Sequence, residues 1–321
     1  MPIGATSTAR RPGGSHRPAF VRTPSAWRAD DVGHRCSPAQ TSIYVTLALL
    51  LLALHTVGDL LASGLATTVG CLALLVVGLP HGTLDLELIK RARGGGVSTP
   101  VLLTLYLGLA AAMYALWRVA PVAALVAFLL TAVVHFAEDW RETDQPFLAQ
   151  GAAVALLAAP ALAHRPELAA LFVALSGAEG AGLIADVMLM VAPVGLAVGG
   201  VAVARLWTAG RRPQAAVTAA TFAAMVALPP VIGFALFFCV HHSPRHLREA
   251  WSDLAAVRPG RYGPIVAGLF ADALGIAAAL FAVETRVDAA AQVVAASFMT
   301  LSILTVPHMA VPAILSRRGR R

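Results

Sequence analysis

The chain has 321 residues, 58% of them hydrophobic and 13% charged, with 27 glycines, 20 prolines and a formal net charge of +7. Soluble globular domains average ~45–50% apolar and ~25% charged residues, so the composition argues against a soluble enzyme. The positive charge forms no basic stripe with interleaved aromatics, which sets nucleic acid aside as a partner. Cys36, Cys71 and Cys239 lie far apart without CxxC spacing, which argues against a disulfide framework or a thiolate metal site.

Residues 1–41 are rich in Arg, Ser, Pro and Gly, lack apolar periodicity and read as a disordered basic tail. Arg10–Arg11 is a twin arginine, but no short apolar run and cleavage site follow directly. The first apolar run, from Ile43, therefore reads as a retained helix. Apolar runs of membrane-spanning length recur at 43–62, 65–89, 100–118, 121–140, 147–163, 183–206, 264–284 and 290–314. The stretch 164–182 is short, mixed in polarity and contains glycine, and predicts a loop with an amphipathic turn.

Residues 214–250 admit two readings. Pro229–Pro230 removes two backbone donors and disfavours the helical conformation just before it, so a break there is favoured. With the break, ten helices leave both termini cytoplasmic, and of the 24 Lys and Arg only Arg118, Arg165 and Arg286 fall outside. Without it, the basic segment 245–262 and the C-terminal RRGRR would move to the outer face. The resulting helix 214–228 is short, about 22 Å at ~1.5 Å per residue against a ~30 Å core. The expected architecture is an all-α polytopic bundle of about 8–10 transmembrane helices over 42–316, with a basic tail at 317–321. It implies a multi-pass protein of the cell (plasma) membrane with a cytoplasmic N-terminus.

Among the ten histidines, His16 and His34 fall in the tail and His164 in the predicted external loop, whereas His55 sits alone in the first helix. The other six occupy four segments: GLPHGTLD (His81), VVHFAEDW (His135), CVHHSPRH (His241, His242, His246) and TVPHMAVP (His308). In the ten-helix topology each segment lies near the cytoplasmic end of its helix, so the imidazoles share one depth. Ionisable groups inside a membrane are costly and mark functional sites. Neutral imidazole suits Fe, Zn, Cu and Ni. His242 and His246 at i,i+4 would share a helix face, although Pro244 distorts that turn. Asp85 follows His81 by four residues and Glu138 follows His135 by three, the spacing of carboxylates that orient a metal-binding imidazole. Asp139 and Glu87 read instead as markers of helix ends.

These four segments resemble the Brp/Blh family of membrane-bound β-carotene 15,15'-dioxygenases. That family carries PHG..D, HFGE-like, HxxRH-type and C-terminal PHM motifs. They correspond here to Pro80-His81-Gly82 with Asp85, His135-Phe136-Ala137-Glu138, His242 to His246, and Pro307-His308-Met309. Their order and approximate separation match over about residues 43–315. The resemblance implies a ferrous iron (Fe2+) held by His81, His135, His242 and His246, with His308 as a further ligand or near neighbour. Leu86, Ala137 and His241 depart from the family pattern, and the last two are expected to alter the pocket wall.

The implied reaction is oxidative cleavage of β-carotene at its central double bond by O2, giving two retinal molecules with no organic cofactor. Membrane lipid surrounds the site, and a retinal-binding rhodopsin is the implied user of the product. Small residues (Gly78, Gly82, Ala132) near the motifs would let helices approach closely or leave room for a rod-like substrate. Two rival readings carry their own signatures. A di-iron membrane desaturase or hydroxylase needs about eight ligands, more than the coplanar histidines supply. A transporter for metal or substrate predicts ionisable residues spread across the bilayer depth.

Overall fold

The computed structural model describes residues 37–92, 98–255, 262–284 and 289–318. Residues 1–36 of the predicted tail and the last three of the C-terminal tail lie outside the described residues, as do residues 256–261 of the basic segment 245–262 and Arg286. Helix dominates what is described, and no strand occurs among those residues.

The chain begins α1 (Pro38–Val57), α2 (Gly64–Ala73), α3 (Asp85–Ala92) and α4 (Thr99–Val119). It continues through α5 (Pro121–Phe136), α6 (Pro146–Ala158), α7 (Ala161–Ser176), α8 (Gly182–Thr208) and α9 (Arg212–Ala227). The last four are α10 (Pro230–Leu236), α11 (Ser243–Ala255), α12 (Tyr262–Val283) and α13 (Ala289–Arg318). Pro38, Pro100, Pro121, Pro146, Pro213 and Pro230 each stand in the first two positions of a helix. There the fixed φ suits the helix and the missing N–H costs no intrahelical bond. Ser37 and Gln40 add a reciprocal capping box to α1.

Seven helical stretches among the described residues are long and apolar enough to cross a bilayer: Pro38–Val57, Gly64–Arg91, Thr99–Val119, Pro121–Thr143, Glu179–Thr208, Tyr262–Val283 and Ala289–Leu315. The α6–α7 pair, bent by 66°, makes an eighth if counted as one span. The chain is thus a multi-pass membrane protein. Leu49, Leu107, Leu130, Leu183 and Val194 stay exposed on its outside, as a lipid-facing surface requires.

One predicted feature comes out differently. The loop expected at 164–182 is mostly helix, because α7 runs to Ser176 and buries Leu168, Phe172 and Leu175 on one face. Arg165, Pro166 and Glu167 hide that apolar face in the sequence by falling in its first turns. His164 consequently lies in α7, not in a loop, with its ring 5.9 Å from that of His55. Its Nε2–H reaches the Ala227 carbonyl at 3.2 Å.

The break at Pro229–Pro230 is present, with Leu228 extended between α9 and α10. The short α9, 16 residues long, buries one face inside the bundle. Its polar face is matched inside the protein. The Thr221 hydroxyl bonds the Tyr44 hydroxyl at 2.8 Å, and the Trp140 indole N–H donates to Thr218 at 3.0 Å.

Candidate metal centre

Most of the histidine-bearing segments leave α-helical geometry where they reach the centre. A π-helical turn, Leu74–Gly78, passes into a 3-10 stretch, Leu79–Leu84, that carries His81. A second π-helical turn, Phe237–His242, ends on His241 and His242. His135 is in the last turn of α5, immediately before the 3-10 stretch Ala137–Thr143. His246 stands on α11, and His308 on α13 between Pro307 and Pro312. Departures of this kind concentrate at functional sites because they re-aim side chains that a regular helix would fan around its axis.

Five imidazoles meet. From the His81 ring, the centroids of His135, His242, His246 and His308 lie 5.9, 5.1, 6.4 and 5.5 Å away. His135 is 4.8 Å from His242 and 5.0 Å from His308, and His242 is 4.4 Å from His246.

Four rings use Nδ1 outward. His81 Nδ1–H donates to the Gly78 carbonyl at 2.6 Å, and His135 Nδ1–H to the Met309 thioether at 3.1 Å. His242 Nδ1–H donates to Asp139 Oδ2 at 2.6 Å, and His308 Nδ1–H to Asp85 Oδ2. An outer partner on Nδ1 fixes the tautomer and leaves Nε2 as a lone-pair donor.

The inward atoms suit a cation. His135 Nε2 and His242 Nε2 face each other at 3.0 Å. With both Nδ1 atoms protonated, that contact holds two lone pairs and no hydrogen. Two nitrogens bound to one ion at ~2.0–2.1 Å and near right angles stand about 3 Å apart. His246 Nε2 and Asp139 Oδ1 are buried with no hydrogen-bond partner among the described residues. Donor atoms of His81, His135 and His308 lie within 4.8 Å of one another, as do those of Asp139, His242 and His246. The donor set is nitrogen and carboxylate oxygen without thiolate, and it is able to hold a metal ion.

The carboxylates are distributed differently from the sequence expectation. Asp85 does not serve His81, but bonds His308 and accepts from the Tyr106 hydroxyl at 3.2 Å. In a 3-10 stretch four residues turn about 480° rather than the ~400° of an α-helix, which swings Asp85 away from His81. Asp139, read from sequence as a helix-end marker, is 1% exposed and joins His242. Glu138 is half-buried, close enough to His246 and His308 to act on them electrostatically but hydrogen-bonded to neither. His241 turns away from the cluster and packs against Tyr44 and Phe237. Glu87 pairs with Lys90 at 2.7 Å, as a helix-end residue does.

Around the imidazoles the walls are aromatic on one side and ionic on the other. Phe238 stacks on His242 at 5.2 Å and meets His81 edge-on at 5.4 Å, and Phe136 packs on both His135 and His242. Gly78 makes this possible, since a Cβ there would run into the Phe238 ring. Beyond the Asp139 carboxylate, buried Arg245 donates to Glu249 at 3.0 Å and to Glu142 at 2.9 Å. Arg141 also reaches Glu249, at 3.1 Å. This network fastens α11 to the 137–143 turn, a role that sequence reading, which used the arginines as topology signals, did not foresee.

An all-α membrane bundle that brings five histidines together in two neighbouring donor groups defines a class of membrane protein able to hold a metal ion. The chain belongs to the Beta-carotene 15,15'-dioxygenase family, which it matches over residues 72–316. It is 28% identical over 291 residues to the probable beta-carotene 15,15'-dioxygenase Blh of Halobacterium salinarum, covering 76% of this chain and 82% of that protein. It is 27% identical over 263 residues to a beta-carotene 15,15'-dioxygenase of an uncultured marine bacterium, covering 74% of this chain and 90% of the relative. No solved structure matches the chain.

Proposed function

We propose that this protein cleaves β-carotene at the 15,15' double bond with O2 to give two retinal molecules, at one ferrous iron held by His81, His135, His242 and His246. His308 completes the donor set. The observation that carries the reading is the convergence of the inward imidazole nitrogens, four of the rings being held from behind by a bond at Nδ1. Family membership supplies the substrate and the bond that is cut.

The overall reaction balances without an outside reductant, since one C=C is replaced by two C=O and both oxygen atoms remain in the products. A ferrous ion bound here supplies the activation of O2, a role closed to redox-inert zinc. The chain's own residues do the rest. Gly78, Met309, Asp139 and Asp85 hold the imidazoles in one tautomer, so no proton on Nε2 competes with the metal. Phe136, Phe234, Phe237 and Phe238 line the centre with hydrocarbon, which keeps water from it and suits a polyene. The Arg245–Glu142–Glu249 network closes the polar end. We place the protein in the plasma membrane with its N-terminus and histidine centre at the cytoplasmic side, on the distribution of arginines. A rhodopsin is the expected user of the retinal.

Expression in cells that accumulate β-carotene tests the proposal. The orange pellet should bleach and retinal should appear in extracts, while an iron chelator or anaerobic growth should prevent both. His81→Ala should lose the activity and bind less iron. Intact β-carotene in aerated cells carrying the iron-loaded protein would refute the cleavage.

A further inference from the structure

We propose that the gap between α5 and α13 is the lateral port through which the long polyene reaches the histidines from the lipid, with Met309 as its inner positioning contact. This rests on the carotenoid-cleavage reading and adds to it a route and a contact. A cavity of about 360 Å³ opens there, lined by Leu130, Thr131, Val134, Val306, Met309 and Ala310. All six belong to the two helices, so the cavity is a cleft between neighbours.

Its outer edge faces the surroundings of the bundle, where Leu130 is 64% and Val134 55% exposed. In a membrane-spanning helix, apolar side chains this exposed meet acyl chains. The inner end abuts the His135 ring, whose Nδ1–H bonds the Met309 sulfur at 3.1 Å, on the side of the ring away from His242. The cleft thus lies between the lipid-facing side of α5 and the residue that holds a donor ring from behind.

The wall chooses its ligand. It carries no charged side chain, and its one hydroxyl, on Thr131, is already spent on the Ala127 carbonyl at 2.8 Å. The wall offers a polar ligand no free donor and no charge, whereas a hydrocarbon loses nothing. Ligand pockets run to ~300–1,000 Å³, so this cleft takes one stretch of a long molecule and leaves the remainder in the bilayer. The flexible, polarisable thioether of Met309 adapts to whatever lies against it.

Cysteines introduced one at a time, as Thr131→Cys and Ala310→Cys in the full chain in lipid nanodiscs, test the port. A membrane-soluble maleimide labels them with or without β-carotene, against the background of the unsubstituted chain. Val194→Cys on the lipid face of α8 serves as the control. β-Carotene should slow labelling several-fold at Thr131→Cys and Ala310→Cys but not at Val194→Cys, and an equal amount of added phospholipid should not. In parallel, Ala310→Trp, which fills the cleft, should raise several-fold the β-carotene needed for half-maximal retinal formation, with iron content unchanged.

Labelling that ignores β-carotene, or that phospholipid slows equally, in a protein that still makes retinal overturns the port and leaves the cleavage reading standing. Protection at both cysteines in a protein that makes no retinal supports the port and defeats the cleavage reading. Should Ala310→Trp fail to fold, the labelling at Thr131→Cys decides alone.

Discussion

Replacing Asp139 by asparagine keeps the side chain's size and removes its charge at a site where it is 1% exposed and 2.6 Å from His242 Nδ1. The second carboxylate oxygen, Oδ1, lies 3.5 Å from His246 Nε2, so one substitution touches two imidazoles. Loss of an outer partner to a metal-binding histidine typically costs ~10–100-fold in affinity or activity, or about 1.4–2.8 kcal/mol. Asp139→Asn is expected within that range, since the bond to His242 Nδ1 is the one outer contact it weakens. The assay is iron retention by purified protein against a graded chelator, read by elemental analysis, with retinal formation measured on the same preparations. Glu87→Gln is the matched control, because Glu87 only pairs with Lys90 on the same helix and such partly exposed pairs contribute ~0–1 kcal/mol. Asp139→Asn protein that holds iron as tightly as the parent chain would refute the anchoring argument.

Gly78→Ala should lower the melting temperature and the activity together, because the new methyl meets the Phe238 ring that stacks on His242. Overpacking of this kind costs about 1–3 kcal/mol, and an unchanged thermal transition would show that the ring has room to retreat. Reporter fusions after Arg321 and within 252–262 should both give cytoplasmic signals, and an external signal from either removes the topology argued from arginine distribution.

The histidine-bearing segments were legible in the sequence because imidazoles are rare in apolar runs, and the structure brings His81, His135, His242, His246 and His308 together as their common depth suggested. The helix break was legible for a local reason, since Pro229 and Pro230 lack the donors that a continuous helix needs. What could not be read was the carboxylates' choice of partner. Spacing arguments assume an α-helical 100° step, and α5 gives way to a 3-10 stretch just where Glu138 and Asp139 must be told apart. Asp85 failed as a partner for His81 for the same reason, and its actual partner, His308, is 223 positions away. Helix α7 was hidden by Arg165, Pro166 and Glu167, whose polarity masked the apolar face that begins at Leu168.

The donor side chains come from both ends of the chain, from His81 just after α2 to His308 in the last helix. A cation gripping them would therefore act as a clasp on the whole bundle, stabilising only the assembled state. His308 joins the other four only when α13 has packed, so the full donor set exists only in the completed bundle. An ion bound there would tie the stability of every helix that carries a donor to its own occupancy.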